Sequence, residues 1–386
     1  MRPHNCDPLL NSFFLAGFEC SSHLRRDGRR LDLLNSTGHD RLASQDYRLI
    51  AEQDILTARD GLRWHRIETA PGRYDWSSFL PMLRAARDRG IQVIWDLCHY
   101  GWPEDIDIWS AAFPERFAAF AAAAARIIRD ETGAAPFVCP VNEISFWAWA
   151  GGDTGRFAPS VQGRGMELKR QLVRAAIAGI AAVREVDPEA RFICAEPLIH
   201  VDPGANTDVD HVAASEHYRR AQFEATDLLT GRLEPELGGR PDYLDIVGVN
   251  FYPDNQWYYG GPPIPLGHHA YRPLQDVLAE WFARYRRPIL IAETGAEGSA
   301  RPSWLHYVCG ELEAARAEGV PIVGACIYPI LEYSGWEDDR HCATGLLSAP
   351  DESGTRRIYQ RLAAELRRQQ AAFAAHPSNP LSIAAE

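Results

Sequence analysis

Eight short apolar runs recur down this chain, and helical spacing fills the stretches between most of them. The runs cover residues 13–18, 62–68, 91–99, 137–141, 191–196, 243–252, 288–295 and 321–328. Helices are predicted over 44–60, 79–89, 114–131, 165–186, 209–231, 273–285, 302–318 and 357–373. In the first of these, Tyr47, Leu49, Ile50, Ile55 and Leu56 are spaced to share one face. Strands that alternate with helices imply a parallel sheet, because parallel neighbours need a long crossover. The third run, Ile91-Gln92-Val93-Ile94-Trp95-Asp96-Leu97-Cys98-His99, is nearly continuously apolar, as a strand covered on both faces should be. Eight such units, with no linker or charge block between them, predict an α/β fold of the closed (β/α)8 barrel type. The barrel is expected as a single domain over residues 1–375, with a loose tail over 376–386. A doubly wound sheet is the competing architecture. It usually opens on Gly-x-Gly-x-x-Gly, and that pattern follows none of the runs.

Composition excludes several chemistries. A formal net charge of -12 argues against nucleic acid or an anionic membrane as the main partner. Lys169 is the only lysine. It sits in Met166-Glu167-Leu168-Lys169-Arg170, which predicts an exposed helix start. Schiff-base chemistry, which needs a buried lysine at a strand end, is therefore not expected. The cysteines at 6, 20, 98, 139, 194, 309, 326 and 342 contain no C-x-x-C pair. Cys98, Cys139, Cys194 and Cys326 fall in apolar runs, where cysteine packs as a small hydrophobe. That pattern fits a reducing compartment. No secretory leader or membrane span is read, so the expected location is cytoplasmic.

In a barrel of this kind the chemistry sits at the C-terminal ends of the strands. Those ends offer Glu19, His23, Arg63, His65, Glu68, His99, Asn142, Glu143, Glu196, His200, Asn250, Tyr252, Glu293 and Tyr328, with Trp336 and Glu337 in the last loop. Many must be structural, since buried polar groups pair with one another for stability alone. Glu143 and Glu293 differ from the rest. Each directly follows a strongly apolar run, and their strands lie across the barrel mouth from each other. Two carboxylates about 5–5.5 Å apart are what retaining glycoside hydrolysis requires, one attacking the anomeric carbon and the other protonating the leaving oxygen. Aromatic residues in the loops, among them Trp147, Trp149, Trp257, Tyr258, Tyr259, Trp304 and Trp336, suit the C–H faces of sugars; burial in ordinary packing is the competing role. The acidic stretches at 208–211 and 337–341 are read as solvated loops, and no metal or other cofactor is expected.

Several motifs together resemble clan A of the glycoside hydrolases, most closely family 1, the β-glucosidase and β-galactosidase group. Val141-Asn142-Glu143 resembles that family's Asn-Glu acid/base pair, and Ala292-Glu293-Thr294-Gly295 resembles its Thr-Glu-Asn-Gly nucleophile segment. His99-Tyr100-Gly101-Trp102-Pro103 is similar to its His-Trp-x-x-x-Pro, Asn250-Phe251-Tyr252 to its Asn-Tyr-Tyr, and Phe14-Leu15-Ala16-Gly17 to its Phe-Leu-Trp-Gly. The resemblance implies Glu293 as nucleophile and Glu143 as acid/base. It implies Arg63 as the arginine supporting the nucleophile, with Asn142 and Tyr252 orienting the site. Tyr252 would come within hydrogen-bond reach of Glu293. His99, Asn250, Tyr328, Trp336, Glu337, His23 and Trp147 would bind substrate.

Departures from the family are equally specific. Ile144 stands where a Pro normally follows the Asn-Glu. No clear counterpart exists for the Gln after the first strand, His23 being the nearest. Tyr328 and Trp336-Glu337 replace a Trp platform and a Glu-Trp pair. The implied activity is hydrolysis of a β-linked glucoside- or galactoside-like molecule. The alternatives are a barrel that binds glycans with little or no turnover, and an endo-acting polysaccharide hydrolase of the same clan.

Overall fold

A computed structural model describes residues 9–375. The expected tail over 376–386 lies outside the described residues, as does Cys6. Eight parallel strands close into a barrel: β1 (Phe14–Gly17), β2 (Thr57–Gly61), β3 (Gln92–Cys98), β4 (Phe137–Val141), β5 (Arg191–Pro197), β6 (Ile246–Asn250), β7 (Ile289–Thr294) and β8 (Ile322–Ile327). Each pairs with its sequence neighbours, and β1 closes the ring by pairing with both β2 and β8. The main helices between them are α1 (His39–Ala51), α2 (Leu80–Asp88), α3 (Ala112–Thr132), α4 (Gly165–Val186), α5 (Val209–Arg220), α6 (Glu224–Leu229), α7 (Leu274–Tyr285), α8 (Arg301–Ala317) and α9 (Gln360–Ala375). This is the single-domain (β/α)8 barrel that the alternation predicts.

Strand periodicity divides the core in two. Leu15, Ile94, Cys139, Ile193, Leu290 and Cys326 meet in one cluster inside the ring. Phe14, Ala16, Trp95, Val138, Phe192 and Ile291 belong to the larger cluster between ring and helices. Successive strand residues point to opposite faces, so each strand feeds both cores. The described cysteines are all free and buried, in keeping with their apolar setting.

The second strand is where expectation fails. Residues 62–68 do not form a barrel strand. Trp64–Ile67 makes one helical turn, and Trp64 is buried against Phe113, Phe117 and Phe120 of α3. The strand is instead Thr57-Ala58-Arg59-Asp60-Gly61, which the sequence reading assigned to the end of a helix. Its charges hide it from a search for apolar runs, yet every residue is buried. Arg59 turns into the barrel mouth, while Asp60 turns outward and meets His39 and Tyr47 of α1 at 2.9 and 2.6 Å. Lys169 also departs from expectation. The first turn of α4 packs beside α6, and Lys169 is buried with its Nζ 2.6 Å from Glu224 Oε2. No described helix is long and apolar enough to cross a membrane.

Candidate active site

Glu143 follows β4 in left-handed backbone, at φ 43°, and Tyr100, just beyond β3, has φ 66°. For residues with side chains this conformation costs about 1–3 kcal/mol, and it concentrates at functional sites. Here it aims the two side chains at each other. The Tyr100 hydroxyl donates to Glu143 Oε2 at 2.5 Å, and Asn250 Nδ2, at the end of β6, donates to Oε1 at 2.9 Å. Across the mouth, Glu293 on β7 accepts from Arg59 Nη1 through Oε1 and from the Tyr252 hydroxyl through Oε2, both at 2.8 Å. Glu143 and Glu293 line one cavity of about 1230 Å³ at the C-terminal ends of the strands.

Arg59 organises the floor of this cavity. Its Nε and Nη2 donate to the two oxygens of Asp96 at 3.0 and 2.8 Å, and Nη2 also donates to Asn142 Oδ1. That last bond fixes the Asn142 amide, whose Nδ2 then faces His99 Nε2 at 2.9 Å and the Tyr100 oxygen at 3.1 Å. His99 Nδ1 lies 2.9 Å from Asp96 Oδ2. With Nε2 accepting from Asn142, the ring is a neutral imidazole whose proton sits on Nδ1.

Burial raises the pKa of Glu143 to about 7, and Glu196 behind it pushes the same way. Burial raises Glu293 as well, to about 8; the Arg59 guanidinium opposes this, while Glu143 adds to it. The two carboxyls titrate as an interacting pair, and burial keeps a proton on the pair near neutrality. Of the two carboxyls only Glu293 is bonded to Arg59, and that contact favours the charged form there, although burial leaves its pKa no lower than that of Glu143.

The structure sorts the predicted site residues. His99, Glu143, Tyr252, Glu293, Tyr328, Trp336 and Glu337 all line the cavity. Asn142 and Asn250 are fully buried beneath it and act on the lining residues. The assignment of Arg63 as the arginine beside Glu293 is corrected. Arg63 Nη1 pairs with Asp32 and Asp40 at 3.1 and 2.9 Å, outside the cavity, and Arg59 holds the expected place. The misplaced strand is the cause, since it moved the strand end by a full turn of chain. Trp147 is likewise corrected: it is fully buried, donates to Ala158 O at 3.0 Å and packs on Tyr100 and Trp102. His23 is buried behind the wall, with ring centroids 4.7 Å from both Phe157 and Trp336, and burial lowers its pKa to about 3. Neither Trp147 nor His23 reaches the cavity. Among the other loop aromatics, Trp149 and Trp257 line it.

Arg59, Asp96 and Tyr100 are the residues of this candidate site that sequence reasoning missed. A charged pair inside a strand-like segment was the available signal for Arg59. Tyr100 occupies the place of a tryptophan in the resembled motif, and its hydroxyl both accepts from Asn142 and donates to Glu143, whereas an indole N–H can only donate. Cys20, Asp96 and His99 bring donor atoms within 4.8 Å of one another. Asp96 is already clasped by Arg59, whose positive charge disfavours a cation there. Asp208 caps α5, and Glu337 pairs with Arg156, so neither acidic stretch gathers a ligand set.

No protein-family model matches the chain, and no curated protein matches it in sequence. Solved structures match it in fold. A family 1 β-glucosidase from Thermotoga maritima superimposes with a TM-score of 0.74 at 14% identity, over 94% of this chain and 97% of that one. The same organism's β-glucosidase in complex with deoxynojirimycin gives a TM-score of 0.75 at 15% identity, over 93% and 98%. A hyperthermophilic β-glucosidase mutant gives 0.74 at 17% identity, over 92% and 99%. At these identities the likeness establishes a shared barrel over nearly the whole of each chain.

Proposed function

We propose that the protein is a retaining β-glycosidase acting on a neutral, glucoside- or galactoside-like β-glycoside. The observation that carries this reading is the pairing of Glu143 and Glu293 in one cavity with opposite surroundings. Glu293 is held by a guanidinium and a phenol, while Glu143 is held by uncharged donors and kept high in pKa by burial. The charged partner on Glu293 and the uncharged partners on Glu143 are what support the roles of nucleophile and acid.

In the first step a Glu293 oxygen attacks the anomeric carbon. The bond to the leaving oxygen breaks as Glu143 delivers its proton to that oxygen. The product is a glycosyl ester on Glu293 with inverted configuration. Esterification removes the Glu293 charge, which frees Glu143 to remain a carboxylate. Glu143 then takes a proton from water as the water oxygen attacks the same carbon. The ester bond breaks, Glu293 is regenerated, and the sugar leaves with its original configuration. Arg59 and Tyr252 stabilise the returning Glu293 charge.

The wall supports a neutral substrate. Its arginines and lysine are each paired with a carboxylate of the same wall: Arg156 with Glu337, Lys169 with Glu224, and Arg340 with Glu297. Among the described lining residues this leaves no unpaired Arg or Lys to receive a phosphate or uronate. Tyr328, Trp336 and Trp149 offer aromatic faces, and the buried Tyr328 hydroxyl has no protein partner. The chemistry needs no cofactor. A cytoplasmic location belongs to the same proposal and is supported by the free, buried cysteines.

The test is a panel of nitrophenyl α- and β-glycosides run on the wild type and on Glu293→Gln. Turnover of a β-glycoside that Glu293→Gln abolishes, with unfolding unchanged, supports the assignment. Sugar binding by calorimetry without turnover across the panel would instead favour a glycan-binding barrel.

A further inference from the structure

Tyr100 does more in this site than line a wall. Its oxygen accepts from Asn142 Nδ2 at 3.1 Å, and its hydroxyl reaches Glu143 Oε2 at 2.5 Å. The direction of this chain is fixed from its far end. Arg59 can only donate, so Asn142 must present Oδ1 to it and Nδ2 to Tyr100. Tyr100 therefore spends a lone pair on Asn142 and sends its one proton to Glu143. The ring is fully buried and packs on His99 and Trp147, with ring centroids 4.7 and 5.7 Å away. The phenol thus has little room to turn elsewhere.

We propose that Tyr100 is a positioning residue for Glu143, locked as a donor to Oε2 so that it holds the carboxyl in place and steadies its charged form. This rests on the reading of Glu143 as acid/base. Asn250 holds the other oxygen, Oε1, so the carboxyl is fixed from both sides. When Glu143 delivers its proton to the leaving oxygen, negative charge develops on a carboxylate that Tyr100 already grips. Tyr100 keeps its own proton throughout and no bond to it is broken. The same bond steadies Glu143 as a base in the second step. Arg59 thereby serves both carboxyls, one directly and the other through Asn142 and Tyr100.

Other charged or titratable groups also face Glu143. They are Arg59 on β2, His99 after β3, Glu196 on β5, Tyr252 after β6 and Glu293 on β7. None of these is hydrogen-bonded to it; Tyr100 alone among the titratable groups is. Removing the phenol leaves the carboxylate less stabilised, so the acid form persists to higher pH.

The experiment compares wild type with Tyr100→Phe, which keeps the ring. It reads kcat/KM from pH 5 to pH 9 on phenyl and on 2,4-dinitrophenyl β-glycosides, and follows the ¹³C carboxyl resonance of Glu143 in the same range. The variant is expected to lose about tenfold on the phenyl glycoside, whose leaving group needs the acid, and less than about twofold in kcat/KM on the dinitrophenyl glycoside. Its basic limb and its carboxyl titration should both move up by about one pH unit. Equal losses on both substrates with an unmoved limb would overturn the proposal. An unmoved ¹³C titration would overturn it whether or not the wild type turns over. Wild-type silence on every glycoside, with the titration shifted as expected, would sink the enzymatic reading and keep the positioning bond.

Discussion

Arg59 Nη1 stands 2.8 Å from Glu293 Oε1 while its other nitrogens clasp both oxygens of Asp96. One buried cation is thus shared between two buried carboxyl groups. Such an arrangement contributes little net stability, but losing one partner strands the others in a medium that solvates charge poorly. Arg59→Met is expected to destabilise the fold by about 3–5 kcal/mol. Urea unfolding followed by tryptophan fluorescence would measure this. A loss below about 1 kcal/mol would mean that Asp96 and Glu293 have other means of compensation.

The acid has its own pH signature. Burial raises Glu143 from 4.5 to about 7, so it is protonated below that pH and ionised above it. The kcat/KM for a phenyl β-glycoside should therefore fall about tenfold per pH unit on the alkaline side of pH 7. Stability follows with the same sign. The folded chain binds this proton more tightly than the unfolded chain, so ionising it between pH 4.5 and about 7 removes stability. Glu143→Gln cannot ionise and should gain about 1 kcal/mol at pH 8 while losing activity, a trade common at active sites. An unchanged unfolding midpoint at pH 8 would count against the raised pKa.

Gly17 joins the sequence of β1 to the shape of the cavity. A Cβ there would lie 2.1 Å from Tyr328 Cδ2 and 2.9 Å from Cys326 Sγ. Both neighbours are buried, and Tyr328 lines the site. Gly17→Ala should cost about 1–3 kcal/mol through overpacking and raise KM by displacing Tyr328. A raised KM without any stability loss would show that Tyr328 gives way freely.

A second polar cluster governs stability at higher pH. His39, the first residue of α1, lies 2.8 Å from Asp46 of the same helix and 2.9 Å from Asp60 of β2. Burial alone would lower its pKa, but the two carboxylates win and raise it from 6.5 to about 9. Its contribution is therefore fully present below pH 6.5 and is lost as the pH rises through 9. The wild type should lose up to about 3 kcal/mol across that window. His39→Asn should be flat there and less stable at pH 6. Parallel pH profiles for the two proteins would contradict the ion-paired histidine.

The barrel was legible because seven of its strands are apolar enough to announce themselves. The eighth, Thr57–Gly61, carries Arg59 and Asp60, each buried by a specific partner that only the closed ring supplies. Local patterning cannot register a charge whose compensation is distant in sequence. Arg63 was chosen in its place for that reason, since Leu62, Trp64 and Ile67 make an apolar run on a single helical turn. Glu143, Glu293 and Tyr252 were legible because each stands at or just past the end of an apolar strand. Trp147 and His23 were not, because an aromatic or polar residue past a strand end can turn either into the cavity or behind its wall, and packing decides. The role of Tyr100 needed the left-handed backbone at 100 and 143, which no composition encodes.

The central claim is that Glu293 becomes covalently glycosylated. A 2-deoxy-2-fluoro glycoside with a dinitrophenyl leaving group slows the second step more than the first, so the ester accumulates. Mass spectrometry of the inactivated protein, followed by peptide mapping, should find one fluorosugar on Glu293. A label on another residue, or multiple turnovers with inverted product and no label, would contradict the account.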